Sequence, residues 1–399
     1  MSAQYDDGTI LLDDATLERF HRATGGEAWP CYQCGTCTAT CPWGRVRQEP
    51  LLVRTLMRNA QLGIDEDGES LWLCTSCGIC EDRCPRGVPI VRILRALRSL
   101  AWKDRRIPEG LPSVLWAVHR DGNPYSLPPC ERTRWADDLE VKEFEPTDEM
   151  LLYLGCTASY DRRIQKVARS VVGGLRAAGV QFGTLGASEP CCGETALAMG
   201  QTAFAAEIAE ANAKLFAARG VKTVVTISPH CFDMFQNHTP RLDEGFEALH
   251  YTQFLARLVS AGRLVCRGSF PRRVAFHDPC YLGRRNGEYD APRTVLESIP
   301  GAEIVELEES RAGALCCGAG GGRMFLETPV GERFSDLRVR QAANAGAEVL
   351  ATACPFCITC LEESAPQVDQ PLKVMDVAEI AARALEPEGA DVEATASGR

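Results

Sequence analysis

The stretch from His277 to Cys357 decides the fold: it reads HDPC at 277–280, CCGAGGG at 316–322 and CPFC at 354–357. Five cysteines fall in three places along one domain's length of chain. An adjacent pair such as Cys316–Cys317 does not easily supply two tetrahedral ligands to one small ion. It suits a larger object with several metal atoms, such as an iron–sulfur cluster. The same pattern stands about 125 residues earlier, at Cys156, Cys191-Cys192-Gly193 and Cys231.

Working outward, a short apolar run precedes each first cysteine, MLLYLG before Cys156 and RVAFHD before Cys280, and each reads as a buried strand. In the first copy the periodicity predicts a helix over Arg162–Ala178, a strand near Phe182, a helix from about Gln201 to Arg219 and a strand at Thr223–Ser228. The second copy follows with a helix near Ala291–Ile299, a strand at Glu303–Leu307, a helix near Gly331–Ala343 and the strand EVLATA before Cys354. Such alternation implies βαβ units and mostly parallel sheets. Two offset copies imply a pseudo-twofold pair of α/β lobes, 148–265 and 266–385. Their cysteines fall at strand ends, where open α/β sheets collect ligands.

Ahead of the lobes stands Cys31-x2-Cys34-x2-Cys37-x3-Cys41-Pro42, repeated as Cys74-x2-Cys77-x2-Cys80-x3-Cys84-Pro85. This is the spacing of two-cluster ferredoxins, in which the fourth cysteine crosses to the other [4Fe–4S] cube. The expected sets are Cys31, Cys34, Cys37 with Cys84, and Cys74, Cys77, Cys80 with Cys41. Structural zinc needs only four ligands, and eight are present in the iron–sulfur pattern. Helical stripes over Leu51–Met57 and after Pro89 make this module, 21–106, an α-helical ferredoxin, with Arg92, Arg95 and Arg98 off the apolar stripe. Residues 1–20 read as an acidic arm, 107–147 as an extended linker rich in proline and tryptophan, and 386–399 as a flexible tail. Cys130, Cys266 and Cys360 read as plain thiols.

Twenty cysteines in 399 residues, clustered and without a secretory leader, point to metal in a cytoplasmic protein. No run of eighteen apolar residues predicts a membrane span. The net charge of −11 argues against nucleic acid. Residues 31–106 are nonetheless about +4, which fits either docking to an acidic partner or a solvated helical face. The glycines at 318–322 precede no GK[ST], so they are no phosphate loop; they let backbone N–H groups approach cluster sulfides. His277-Asp278 and Arg284-Arg285 flank Cys280 and either line a substrate mouth or hold the sheet end.

The run LWLCTSCGICEDRCPRGVPI at 71–90 resembles the iron–sulfur C subunit of heterodisulfide reductases and the glycolate oxidase iron–sulfur subunits. The two cysteine patterns resemble the CCG domains of the B subunit of heterodisulfide reductases. The resemblance covers about residues 25–385 and implies a fused C-plus-B polypeptide, as in partners of flavin-linked oxidases and electron-transfer flavoproteins. It also implies a noncubane [4Fe–4S] cluster on Cys280, Cys316, Cys317, Cys354 and Cys357. The first lobe departs from the family, with Ser228-Pro-His-Cys231 in place of Cys354-Pro-Phe-Cys357. Three readings stay open for Cys156, Cys191, Cys192 and Cys231: an altered cluster completed by Ser228 or His230, a four-thiolate zinc site, or a vestigial site. The expected function is an iron–sulfur electron-transfer subunit with a flavoprotein oxidoreductase or electron-transfer flavoprotein as partner. A membrane quinone-reactive subunit would lie downstream and hold the chain peripherally at the inner face. The alternative is a heterodisulfide-type reductase that cleaves a disulfide itself.

Overall fold

Two four-stranded sheets carry the second part of the chain, and every strand pairing in them is parallel. The first comprises β1 (Met150–Tyr153), β2 (Phe182–Gly183), β3 (Thr223–Thr226) and β4 (Glu247–His250), in the order β2-β1-β3-β4. The second comprises β5 (Arg273–Phe276), β6 (Glu303–Val305), β7 (Val349–Thr352) and β8 (Lys373–Asp376), in the order β6-β5-β7-β8. The computed structural model describes residues 12–65, 70–242 and 245–385. The start of the acidic arm and the whole 386–399 tail lie outside the described residues.

The registers of the two sheets superimpose. Leu152 faces Val225 in the first, and Phe276 faces Ala351 in the second. The next residues, Tyr153 and His277, therefore hold equivalent places, and so do Ser228 and Cys354 three residues beyond Val225 and Ala351. The lobes also pack reciprocally: helix Arg162–Ala177 lies on helix Val377–Arg383, and helix Asp290–Glu297 on helix Tyr251–Ser260. One apolar core runs through both lobes. Arg163 ties them with ion pairs to Glu362 (2.6 Å) and Glu379 (2.8 Å).

The fourth strand of each sheet was not foreseen. EALH and KVMD are too short, and too polar at one end, to stand out as strands. Each runs straight into a capped helix: His250 and Asp376 are N-caps with a capping box to Gln253 and Glu379. His250 is fully buried. Its Nδ1 accepts from the Thr252 N–H at 3.4 Å, and its Nε2 lies 3.1 Å from the Ile227 carbonyl. Burial, only partly opposed by the Ile227 and Ala353 backbone, lowers its pKa to about 3. The folded protein thus refuses a proton that the unfolded chain accepts near pH 6.5. Stability is expected to hold above pH 6.5 and to fall below it by about 1.4 kcal/mol per pH unit. His250→Asn, which keeps a capping acceptor, should flatten that slope in urea unfolding between pH 7 and 5.

The N-terminal part is helical. Helices Asp14–Thr24, Val53–Leu62 and Ile90–Lys103 pack on one another, and two four-residue turns, Thr36–Ala39 and Ile79–Asp82, carry the cysteine motifs. Among the described residues up to Arg106 there is no strand. Residues 107–147 are not extended, contrary to expectation. They hold helix Leu111–Asp121, started by Pro112 in its first turn, and a 3-10 helix at Pro129–Ala136. The prolines bracket these elements without interrupting them.

Candidate functional site

In the helical module the cysteine loops wind about two points. At the first, Cys37 faces Cys31 and Cys34, and Cys84 reaches the same place beside Tyr32. The Val88 N–H points at the Cys84 sulfur, 3.4 Å away. At the second, Cys80 is surrounded by Cys74, Cys77 and Cys41, and the Ser76 N–H donates to Cys74 at 3.4 Å. The two fourth cysteines therefore stand crossed. Burial pushes the Cys41 thiol up to about 12, reinforced by its neighbours Cys77 and Cys74. Contact with Cys316 and burial push Cys77 up as well. Buried thiols crowded in this way favour thiolates only when a metal supplies the positive charge, so the donor sets fit iron–sulfur clusters.

The second lobe gathers its cysteines against that second point. Cys316 contacts Cys280, Cys317 and, across the domain boundary, Cys77. Cys317 and Cys357 have their sulfurs 3.3 Å apart. The Gly318 N–H donates to the Cys316 sulfur at 3.3 Å. The following glycines do something else. A Cβ on Gly320 would lie 2.3 Å from the Thr75 carbonyl oxygen, and one on Gly321 would lie 2.2 Å from that of Cys74. The loop is bare so that the lobe can lie backbone to backbone against the ferredoxin.

Two arginines lock this junction. Arg98, 2 % exposed, donates to the carbonyls of Leu71, Cys74, Ala198 and Gly321, joining the ferredoxin to both lobes. Arg284 donates to the carbonyls of Cys77 and Ala312 at 2.8 Å, and to that of Ala314. Arg95 is also buried, and of the three arginines off the apolar stripe only Arg92, paired with Glu27, faces solvent. The residues flanking Cys280 do not line a mouth. Asp278 is paired with Arg293 (2.7 Å), and Arg285 with Asp233 (3.3 Å). A cleft of about 890 Å³ reaches Cys317 and Gly318 past Trp43, Arg323, Arg333 and Cys360.

In the first lobe the sulfurs form a chain of contacts, Cys156 to Cys191, Cys191 to Cys192 and Cys192 to Cys231. Arg132, paired with Glu189 at 3.0 Å in the interior, brings Nη2 within 3.5 Å of the Cys156 sulfur. The candidates for a fifth ligand are engaged elsewhere. Ser228 caps helix Pro229–Asn237, its hydroxyl accepting from the His230 N–H at 3.3 Å. His230 turns to the other lobe, with its ring stacked 3.9 Å from that of Tyr281 and tilted against that of Phe356 at 4.7 Å. Its Nδ1 lies 3.3 Å from Glu194, and it contacts Cys354. Against its burial, Glu194 and Cys354 hold its pKa up to about 10. Tyr281 donates to Glu194 (2.6 Å) and lies 2.9 Å from the Ser76 hydroxyl. Ser76, Tyr281, Glu194 and His230 thus form a buried polar chain touching all three neighbouring cysteine sets. Their only signal in the sequence is adjacency to the motifs: Tyr281 follows HDPC and Glu194 follows CCG.

Comparison with known proteins agrees with this partition. The cysteine-rich CCG domain matches twice, at 150–236 and 274–362, and a 4Fe-4S dicluster domain matches 27–88. The chain is 37% identical over 307 residues to a "Probable iron-sulfur-binding oxidoreductase FadF" of Bacillus subtilis, covering 74% of this chain and 43% of the relative. It is 34% identical over 313 residues to an "EtfAB:quinone oxidoreductase" of Syntrophomonas wolfei, covering 74% and 44%. The chain thus spans less than half the length of these two. Against the D subunit of the "Dihydromethanophenazine:CoB--CoM heterodisulfide reductase" of Methanosarcina mazei it is 31% identical over 389 residues, covering 89% of this chain and 93% of the relative. Among the described residues, no helix is long and apolar enough to cross a membrane.

Proposed function

Because this chain belongs to the CCG-domain iron–sulfur family that includes the D subunit of heterodisulfide reductase, we propose that it is the electron-relay subunit of an oxidoreductase complex. Its partner is a flavoprotein, either a dehydrogenase or oxidase or an electron-transfer flavoprotein. A quinone-reactive membrane subunit holds it at the cytoplasmic face. The names of the Bacillus and Syntrophomonas relatives support this reading. The observation that carries it is the contact of Cys77 with Cys316, which makes the second ferredoxin site and the second CCG site share a wall. When bound, two cubane clusters and one noncubane cluster supply one-electron carriers. The residues of the chain set them in file: Cys31, Cys34, Cys37 and Cys84, then Cys41, Cys74, Cys77 and Cys80, then Cys280, Cys316, Cys317, Cys354 and Cys357. Around the middle of that file Arg98 and Arg284 exclude water and fix the spacing.

For the first lobe we infer a tetrahedral zinc ion on Cys156, Cys191, Cys192 and Cys231, with the adjacent Cys191–Cys192 pair strained to serve one ion. Four thiols meet there, Ser228 is committed to a helix cap and His230 to the opposite lobe, and four thiolates are a complete zinc shell. The disulfide-cleaving alternative would draw on clusters in both lobes, and the missing fifth cysteine disfavours it.

The test uses anaerobically purified chain reduced stepwise through an electron-transfer flavoprotein and followed by EPR. Signals of the ferredoxin module and of the second CCG site are expected to appear under the same reductant. A second CCG signal that stays silent after the ferredoxin module is reduced would overturn the relay. Rapid reduction of a disulfide by the reduced chain alone would favour the alternative.

A further inference from the structure

His277 is the residue of the HDPC motif to which nothing above gives a task. It is 1 % exposed and stands just past β5, its backbone N–H bonded to the Ala351 carbonyl at 2.8 Å. One of its ring nitrogens lies within 4.8 Å of the sulfurs of both Cys317 and Cys357. Its Nδ1 faces Arg338 Nε at 3.1 Å. Arg338 is itself fully buried; its Nη1 donates to the Glu309 carbonyl at 2.8 Å and the Gln341 side chain at 2.9 Å, and its Nη2 faces the Phe276 carbonyl at 3.5 Å.

Elementary valence then assigns the tautomer. A guanidinium only donates, so Nδ1 is the acceptor and the neutral ring carries its hydrogen on Nε2. That N–H is buried and has no partner. A buried donor left unpaired costs on the order of 1–3 kcal/mol, so such orphans call for an acceptor. Neither neighbouring thiol serves as one. A nitrogen that carries hydrogen also has no lone pair for iron, so His277 is not a sixth ligand.

The pseudo-repeat supplies an internal comparison. At the equivalent position in the first lobe stands Tyr153, equally buried, and its hydroxyl is already bonded to the Pro190 carbonyl. Of these two equivalent positions, the one beside the five-cysteine set carries the unpaired donor.

We propose that His277 is a positioning and tuning residue whose Nε2–H donates to a sulfur of the cluster held by the second CCG site. Arg338 fixes the tautomer that makes this possible. Reduction adds an electron and hence negative charge to the cluster; a hydrogen bond from a fixed donor strengthens with that charge and raises the reduction potential. The inference rests on the assignment of a cluster to that site.

The experiment compares the whole chain with His277→Leu and His277→Gln, purified anaerobically, by iron content and EPR-monitored redox titration. The side-chain amide of the glutamine variant can accept from Arg338 and still donate. His277→Leu is expected to keep its iron and to shift the reduction equilibrium about tenfold towards the oxidised form, about 59 mV for one electron. His277→Gln should recover most of that shift. An unchanged potential in a fully loaded His277→Leu overturns the proposal. Where the variants lose iron, the parental protein decides by electron spin-echo spectroscopy in heavy water. A weakly coupled exchangeable deuteron with weak ¹⁴N coupling is the expected result. Strong ¹⁴N coupling, the mark of ligation, or no exchangeable deuteron overturns it. A parental chain with no cluster at this site removes the functional reading itself, which is a separate failure.

Discussion

Arg98→Met is expected to destabilise the chain by about 3–5 kcal/mol, the range for breaking a buried charged network. The guanidinium holds four backbone carbonyls, one of them Cys74 beside the second ferredoxin site and another Gly321 in the CCG loop. It also lies over the Trp72 ring, 4.9 Å from its centroid. Methionine fills similar volume but leaves four acceptors in the interior without a donor, each a desolvation cost of its own. Arg98→Lys keeps a charge but not the planar fork, so it should recover less than half of the loss. Anaerobic denaturant unfolding measures the first effect. The second is kinetic: reduction of the second CCG site through the ferredoxin module should slow, because the loop that sets their separation has lost its clamp. An unfolding free energy within about 0.5 kcal/mol of the parent would show that the clamp is not structural.

Arg98 also shows where the sequence stops being informative. Its helix has a clear apolar stripe, and an arginine off such a stripe ordinarily faces water. That inference holds only when the opposite face is open. Here the opposite face is closed by the first lobe: a Cβ on Gly200 would sit 2.7 Å from the Arg95 carbonyl oxygen and from the Arg98 Cβ. Periodicity reports the near neighbour of a helix and cannot see a second one brought in from about a hundred residues away. The cysteine sets were legible because ligand spacing is local and the strand–helix repeat is strongly periodic. The chain Ser76–Tyr281–Glu194–His230 was not, because its members come from the ferredoxin and from both lobes and meet only after the sheets are placed. His277 lies between these cases. The motif marked it, but only the buried, unpartnered Nε2 shows what it lacks.

The asymmetry between the lobes leads to the other large effect, Ser228→Cys. The register makes Ser228 the counterpart of Cys354, and both residues are helix N-caps in extended backbone, φ −100° and −154°. The second lobe shows that a cysteine there is tolerated without a side-chain capping bond. The substitution should therefore cost only the lost cap, about 1 kcal/mol. What changes is the donor set, from four thiolates to five. Four complete a tetrahedral zinc shell, whereas a multi-iron cluster with an adjacent cysteine pair has a place for the fifth. The parental chain is expected to carry about one zinc and about twelve irons, as two cubanes and one noncubane cluster require. Ser228→Cys, reconstituted anaerobically with iron and sulfide, should lose the zinc and gain about four irons. Ser228→Ala serves as the control, since it removes the same cap without adding a ligand, and its metal content should stay parental. If Ser228→Cys keeps its zinc and gains no iron, then the Arg132–Glu189 pair beside Cys156, and not the count of thiolates, selects the metal. The first lobe would then be specialised by its surroundings, and the serine would be a consequence of that specialisation.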